Sequence, residues 1–450
     1  MQGGLALRAI ASPDRTCDPA AMSTARERLQ QALARATDPK GEGARSCLTV
    51  YPETARIEAD AADARAKAGQ SLGPLDGAVI TIKDLFDVAG EVTRAGSAVL
   101  AKRGRKAAAD APAIARLRAA GAVIAAKTNM TEFAFSGVGA NPHFGTPGNP
   151  ADRKRIPGGS SSGGAVACAD GIGEITIGTD TGGSTRIPAA LCGIVGYKPT
   201  QKRIPREGVY PLSFALDSIG PMARSVADCF RTDAVLAGEK PSALEAATLG
   251  DIRIGLVQGM VLDHLDGIVG PAFQQALAKL ASAKRSDITL DALDIMHGVN
   301  ERGGIAPAEA YTINRTLLAE DGDGVDPFVR ARMMRAAPMI AADYIRNMRE
   351  RLQGIARMDV LFDRVDVLAM PTTPIVAPTM EEVSTPDGFA SRNALLLRNT
   401  AIANFFDLCA ITLPLNFGNA LPCGLMLFAR HGNDARLFQI AAAIEKALKA

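Results

Sequence analysis

Two glycine–serine knots and one lysine carry the residue types that could do chemistry. The knots are "GGSSSGG" (158–164) and "TDTGGS" (179–184), and the lysine is Lys83, which closes the apolar run "VITIK". A serine attacks an amide carbonyl only when a base takes its proton and donors hold the oxyanion. Ser184 follows two glycines, so the chain there can bend until the N–H groups of Thr181, Gly182, Gly183 and Ser184 converge on one point. Histidines 143, 264, 297 and 431 stand far apart and offer no recognisable base. Burial at the end of an apolar strand would disfavour the charged form of Lys83 and lower its pKa. A neutral lysine is a usable general base, and Ser–Lys pairs are a known variant of the serine triad. The three hydroxyls of the first knot could pass the proton between them.

The same residues admit other readings. A Gly/Ser run is often a flexible linker. Here, however, Pro157 precedes the first knot, a helix follows it, and the second knot lies between a strand and the apolar "RIPAALCGIVG". A phosphate cradle would need a lysine after Gly163 or Gly164, or a strand before the glycines, and neither is present. "GSSSG" (159–163) matches the GxSxG nucleophile elbow with Ser161 as nucleophile, but again the preceding strand is missing.

Positioning these residues requires a layered scaffold. Residues 23–36 and 54–68 read as amphipathic helices, and Met22, with Ser23 and Thr24 behind it, is a second candidate translation start. Residues 110–130 read as helix, glycine stop, then strand, with Gly121 as the stop. "AVACADG" reads as a small-residue helix ended by Gly171, and "EITIGTD" as the strand before the second knot. Further strands fall at 251–257, 365–374, 409–415 and 423–429. Helices fall at 271–284 and 434–448, with a helical lobe over 300–360. Helices alternating with short buried strands predict an α/β/α sandwich around one mixed central β-sheet, in a single domain of 450 residues.

Composition narrows the function. Apolar residues make up 47% and formal charge is +2, with basic residues spread along the chain, so nucleic acid is not an expected direct partner. No apolar run approaches the roughly 18 residues of a membrane span. The seven scattered cysteines read as reduced thiols of a cytoplasmic protein, and no His/Cys spacing suggests a metal.

The stretch from Gly158 to Ala189 resembles, without gaps, the signature of the amidase signature family. Its two functional serines stand 24 residues apart there, as Ser160 and Ser184 do here. "GPLDGAVITIKDLFDVAG", "GAVIAAKTNMTEFAFSG" and "GYKPTQKRIPREGVYPLSFALDSIGPMARSVADC" extend the resemblance over about 72–237. Residues 23–70 are then N-terminal helices. Residues 250–450, which match only in outline through "MPTTPIVAP" and "LPCGLML", complete the sheet and cover the site. The resemblance implies Ser184 as nucleophile, Ser160 as bridging serine after a cis peptide, Lys83 as base, and the 181–184 backbone as oxyanion hole. It implies no cofactor and no metal, a small-molecule amide as substrate, and a homodimer as an allowed state. Met130, Phe133, Phe135 and Ser136 lie in a segment that lines the pocket in relatives. Arg186 is a candidate for a substrate carboxylate or for pairing a buried acid. This chain reads "SSSGGA" where many members have "SSGGSA", which leaves Ser160 and Ser161 in place; Ser161, Ser162 and Asp180 are expected to be structural. Two alternatives stand beside a free amidase. One is the glutaminase component of a tRNA-dependent glutamyl or aspartyl amidotransferase complex. The other is an allophanate- or carboxybiuret-type hydrolase, which would require a carboxylate-binding arginine such as Arg186 or Arg398.

Overall fold

Eleven strands form one sheet in a computed structural model that describes residues 23–418 and 421–450. Met22 and Cys17 lie outside the described residues. The strands are β1 (Cys47–Val50), β2 (Val79–Lys83), β3 (Val123–Thr128), β4 (Ile175–Asp180), β5 (Val195–Lys198) and β6 (Ser218–Ala223). They continue with β7 (Arg253–Val257), β8 (Lys284–Ile288), β9 (Val367–Pro371), β10 (Cys409–Leu415) and β11 (Cys423–Ala429). Their order is β1-β3-β2-β4-β6-β5-β10-β11-β9-β7-β8. The sheet is mixed: β3, β2 and β4 run parallel, as do β9, β7 and β8, and the strands between them are antiparallel.

Helices cover both faces, and the strand sequences show why. Side chains alternate across a strand. In β11, Leu425, Leu427 and Ala429 pack into one hydrophobic core, and Met426 and Phe428 into another. Both faces are apolar, as a sheet buried on both sides requires. The N-terminal helix Ala25–Ala36 begins with a capping box between Thr24 and Glu27. Its Leu29 and Ala32 pack on Ala55 and Ala59 of the helix Pro52–Lys67.

Differences from the sequence reading have physical causes. The helix expected over 271–284 runs Val269–Lys279, and Lys284 opens the edge strand β8, whose first four side chains are exposed and polar. The "SIGPMA" of β6 hides its strand behind a glycine and a proline. "RIPAALC" is a helix, Arg186–Cys192, ended by Gly193 in the left-handed region. The lobe over 300–360 consists of the helices Ile305–Asp321, Pro327–Met334 and Ala341–Leu361.

Candidate active site

Because β2, β3 and β4 run parallel, their carboxyl ends share one edge of the sheet, where open α/β folds place ligand sites. Lys83 ends β2, the loop Met130–Ser136 follows β3, and Asp180 ends β4 and leads into the second knot. Lys83 is fully buried, and its Nζ donates to Ser160 Oγ at 2.8 Å and to Thr179 Oγ1 at 2.9 Å. Burial pushes the ammonium down to about 7, against a smaller opposing pull from the Asp217 and Asp180 carboxylates.

Close backbone approach holds the first knot in place. The Gly159–Ser160 peptide is cis. The Gly159 N–H donates to the Gly137 carbonyl at 2.8 Å, and the Ser160 carbonyl accepts from the Thr131 N–H at 3.1 Å. A Cβ on Gly159 would fall 2.7 Å from the Gly139 backbone, so only glycine fits. The Ser161 N–H donates to the Ser184 carbonyl at 3.3 Å, joining the two knots. The Ser161 hydroxyl donates to the Thr179 carbonyl at 3.4 Å. That of Ser162 is buried with no hydrogen-bond partner among the described residues.

The second knot is wound around Asp180. Its carboxylate accepts the Gly183 N–H at 2.9 Å and the Thr185 N–H and hydroxyl at 3.1 and 2.9 Å. Arg186 grips it with two donors at 3.1 and 2.9 Å. Burial alone would raise the Asp180 carboxyl, but the Arg186 charge and hydrogen bonds outweigh it and hold the group well below the usual carboxylate range. Gly183 has φ 136°, and a Cβ there would meet Thr400 Oγ1 at 2.2 Å. The Thr181 hydroxyl donates to Asp217 at 2.5 Å, and burial raises that carboxyl.

Ser184, Thr181 and Gly182 form the floor of a cavity of about 250 Å³. Ala134, Phe135 and Ser136 line one side, and Met296, Leu397 and the arginines Arg332 and Arg335 line the wall. No histidine lines it, which leaves the elbow reading of Ser161 without a base.

Several expectations change here. The Gly183 N–H is bonded to Asp180, so the donors left for an oxyanion are those of Thr181, Gly182 and Ser184. Met130 and Phe133 do not line the cavity; both are buried in the core, where Phe133 lies 5.8 Å from the Tyr210 ring. Arg186 binds no substrate carboxylate: fully buried, it spends its donors on Asp180, on Asn404 Oδ1 at 2.8 Å and on the Thr400 carbonyl at 2.9 Å. Arg398 bonds Asn399 and the Val261 carbonyl outside the cavity. Thr179, Asp217, Asn404, Arg332 and Arg335 were not foreseen. A signal existed for the last two: "RARMMR" sets them three apart, with no acid a helical turn away from either.

A mixed sheet with helices on both sides, carrying a buried lysine and a serine-floored cavity at one strand edge, defines an amide-hydrolysing enzyme. The chain belongs to the amidase family, whose model matches residues 28–438. It is 36% identical over 403 residues to the 2-amino-5-chloromuconic acid deaminase of Comamonas testosteroni, covering 87% of this chain and 86% of that protein. It is 35% identical over 462 residues to a glutamyl-tRNA(Gln) amidotransferase subunit of Chloroflexus aggregans, covering 94% of this chain and 93% of that one. A crystal structure of an amidase matches with a TM-score of 0.83 at 33% identity, over 94% of this chain and 96% of that one. The family match thus runs through the half beyond residue 250, where the motifs alone showed only an outline.

Proposed function

We propose that the chain hydrolyses a small carboxamide through an acyl-enzyme on Ser184, with Ser160 and Lys83 as its proton relay. The observation that carries this reading is Lys83 Nζ, fully buried and 2.8 Å from Ser160 Oγ, beside the cavity floored by Ser184. Neutral Lys83 takes the Ser160 proton as Ser160 takes that of Ser184, and Ser184 Oγ bonds to the carbonyl carbon. The N–H groups of Thr181, Gly182 and Ser184 face the oxyanion. The proton returns through Ser160 to the leaving nitrogen, the C–N bond breaks, and water then hydrolyses the ester by the reverse relay. No step calls on a metal or cofactor.

Floor and wall of the cavity both come from this one chain, which supports an enzyme that works without other components, as a monomer or homodimer. Six described cysteines are buried free thiols, which fits a reducing, cytoplasmic setting. No helix among the described residues is long and apolar enough to cross a membrane. The 35% identity to an amidotransferase component supports a second reading, a glutaminase that needs its complex. Turnover of simple amides by the purified chain, abolished by Ser184→Ala, is the expected result. A folded chain active only on glutamine and only within such a complex would establish the second reading.

A further inference from the structure

The cavity that holds Ser184 is positively charged. Among its lining residues are two arginines, Arg332 and Arg335, and no aspartate or glutamate. Neither arginine forms an ion pair with a carboxylate among the described residues, whereas Arg65, Arg94, Arg186 and Arg203 each do. Arg332 is half-buried, and its Nε is shut off from solvent without a hydrogen-bond partner. Its guanidinium lies over the Phe135 ring at 4.5 Å from the centroid, a cation–π contact that orients the plane but satisfies none of its N–H donors.

The scaffold fixes this placement. Arg332 sits on the helix Pro327–Met334, whose N-cap Asp326 accepts the Phe328 N–H at 2.8 Å. The Asp326 N–H in turn donates to Glu132 Oε2 at 2.6 Å. Glu132 and Phe135 belong to one short segment after β3, so the loop that supplies Ser136 to the cavity also anchors the helix that supplies Arg332. Burial pulls the Arg332 guanidinium down to about 10, and the like charge of Arg335 adds to that. It stays protonated at neutral pH, so the cavity lacks a counter-anion that the protein does not provide. A planar fork of unpaired donors is matched best by a carboxylate, which can accept two of them at once.

We propose that Arg332 and Arg335 form a carboxylate subsite, and that the substrate is a small amide that also bears a carboxylate, such as the monoamide of a short dicarboxylic acid. This inference rests on Ser184 as the nucleophile. The test pairs malonamate, succinamate and glutaramate with the neutral amides acetamide, butyramide and valeramide. The expected wild-type kcat/KM is at least about tenfold higher for one of the charged amides than for any neutral one, chiefly through KM. In Arg332→Met that ratio falls by about tenfold or more. Arg332→Lys, which keeps the charge and loses the fork, recovers part of it. High salt lowers the ratio in the wild type.

Binding measured by calorimetry on Ser184→Ala needs no turnover and separates the two readings. Succinamate or glutaramate should bind it at least tenfold more tightly than the neutral partner, and that difference should vanish in Ser184→Ala/Arg332→Met. Equal binding of charged and neutral amides by folded protein, or a preference unmoved by Arg332→Met and Arg335→Met together, would overturn the subsite. Tight charged-amide binding with undiminished turnover in Ser184→Ala would instead keep the subsite and remove the proposed nucleophile.

Discussion

The floor of the cavity and its wall are held by different forces. On the floor, Gly159 and Gly183 sit where no side chain fits, and Asp180 gathers five hydrogen bonds from Gly183, Thr185 and Arg186. Each atom there is placed by backbone sterics and short polar contacts. The wall comes from helices, Leu293–Glu301, Pro327–Met334 and Pro386–Phe405, packed on a hydrophobic core that can exchange one apolar side chain for another of like volume. A floor so constrained suits a reaction in which a misplacement of about 1 Å is costly. A wall built on helix packing suits the choice of substrate.

If that division holds, changes on the floor abolish turnover of every amide alike. Ser184→Ala should lower kcat/KM by about 10⁴-fold or more on any substrate, with an unchanged melting temperature. Lys83→Met should follow at about 10³-fold, since a removed general base costs about 10²–10⁴. Lys198 provides the contrast. It is as buried as Lys83, and burial lowers its pKa too, but it donates to the Pro199 and Leu408 carbonyls at 2.7 and 2.9 Å. Carbonyls have no proton to give, whereas the hydroxyls facing Lys83 do. Lys198→Met should therefore cost stability and leave kcat of the folded protein within a few-fold. A collapse of kcat equal to that of Lys83→Met would remove the distinction between the two lysines.

The floor was legible in the sequence and the wall was not, for the same reason. A glycine–serine loop is specified by its own few residues, so Ser160, Ser184 and the length between them could be read without a fold. Strands such as β10 and β11 declared themselves by apolar runs with proline or glycine at their ends. Which face of the helix Pro327–Met334 meets the cavity depends instead on the Glu132–Asp326 contact, between residues nearly two hundred positions apart. Met130 and Phe133 failed as pocket residues because the chain turns sharply, with φ 52° and 59° at Phe133 and Ala134. That turn leaves Ala134, Phe135 and Ser136 on the cavity.

Arg186→Met tests how the floor is held together. It would strand the fully buried Asp180 carboxylate, and breaking a buried pair by removing one partner costs about 3–5 kcal/mol. Denaturant unfolding should show a loss of that size. An unaltered midpoint would mean the guanidinium is not what keeps the second knot in shape.

The pH dependence is a gentler probe of the same region. With Lys83 near 7, kcat/KM should rise about tenfold per unit below that value as the ammonium loses its proton, then level above it. The stability of the fold carries the matching sign. A lysine whose folded pKa lies below its unfolded value of about 10.4 binds fewer protons when native, so stability rises with pH between about 7 and 10. Lys83→Met removes that term, so its stability relative to wild type should be most favourable below pH 7 and decline as pH rises. Melting curves of both proteins at pH 6 and pH 9 would check this. An activity profile flat from pH 5 to pH 8 would exclude Lys83 as the base.

The smallest effect belongs to the wall. Met296, on the helix Leu293–Glu301, contributes an apolar surface to the cavity and shares a core with Leu216 and Phe405. Met296→Ala should enlarge the space beside the acyl chain without touching Ser184, Lys83 or the Asp180 network. Since a methylene in an apolar pocket discriminates by about 10–200-fold, and the neighbours can partly fill the gap, the preference should move toward longer acyl chains by about tenfold or less. Rate measurements along a series of amides of increasing chain length would show it as a shifted optimum with an unchanged pH profile. If Met296→Ala instead slowed every member of the series equally and moved the Lys83 inflection, the wall would be part of the catalytic apparatus. The separation between a fixed floor and an exchangeable wall would then fail at the helix where it looks clearest.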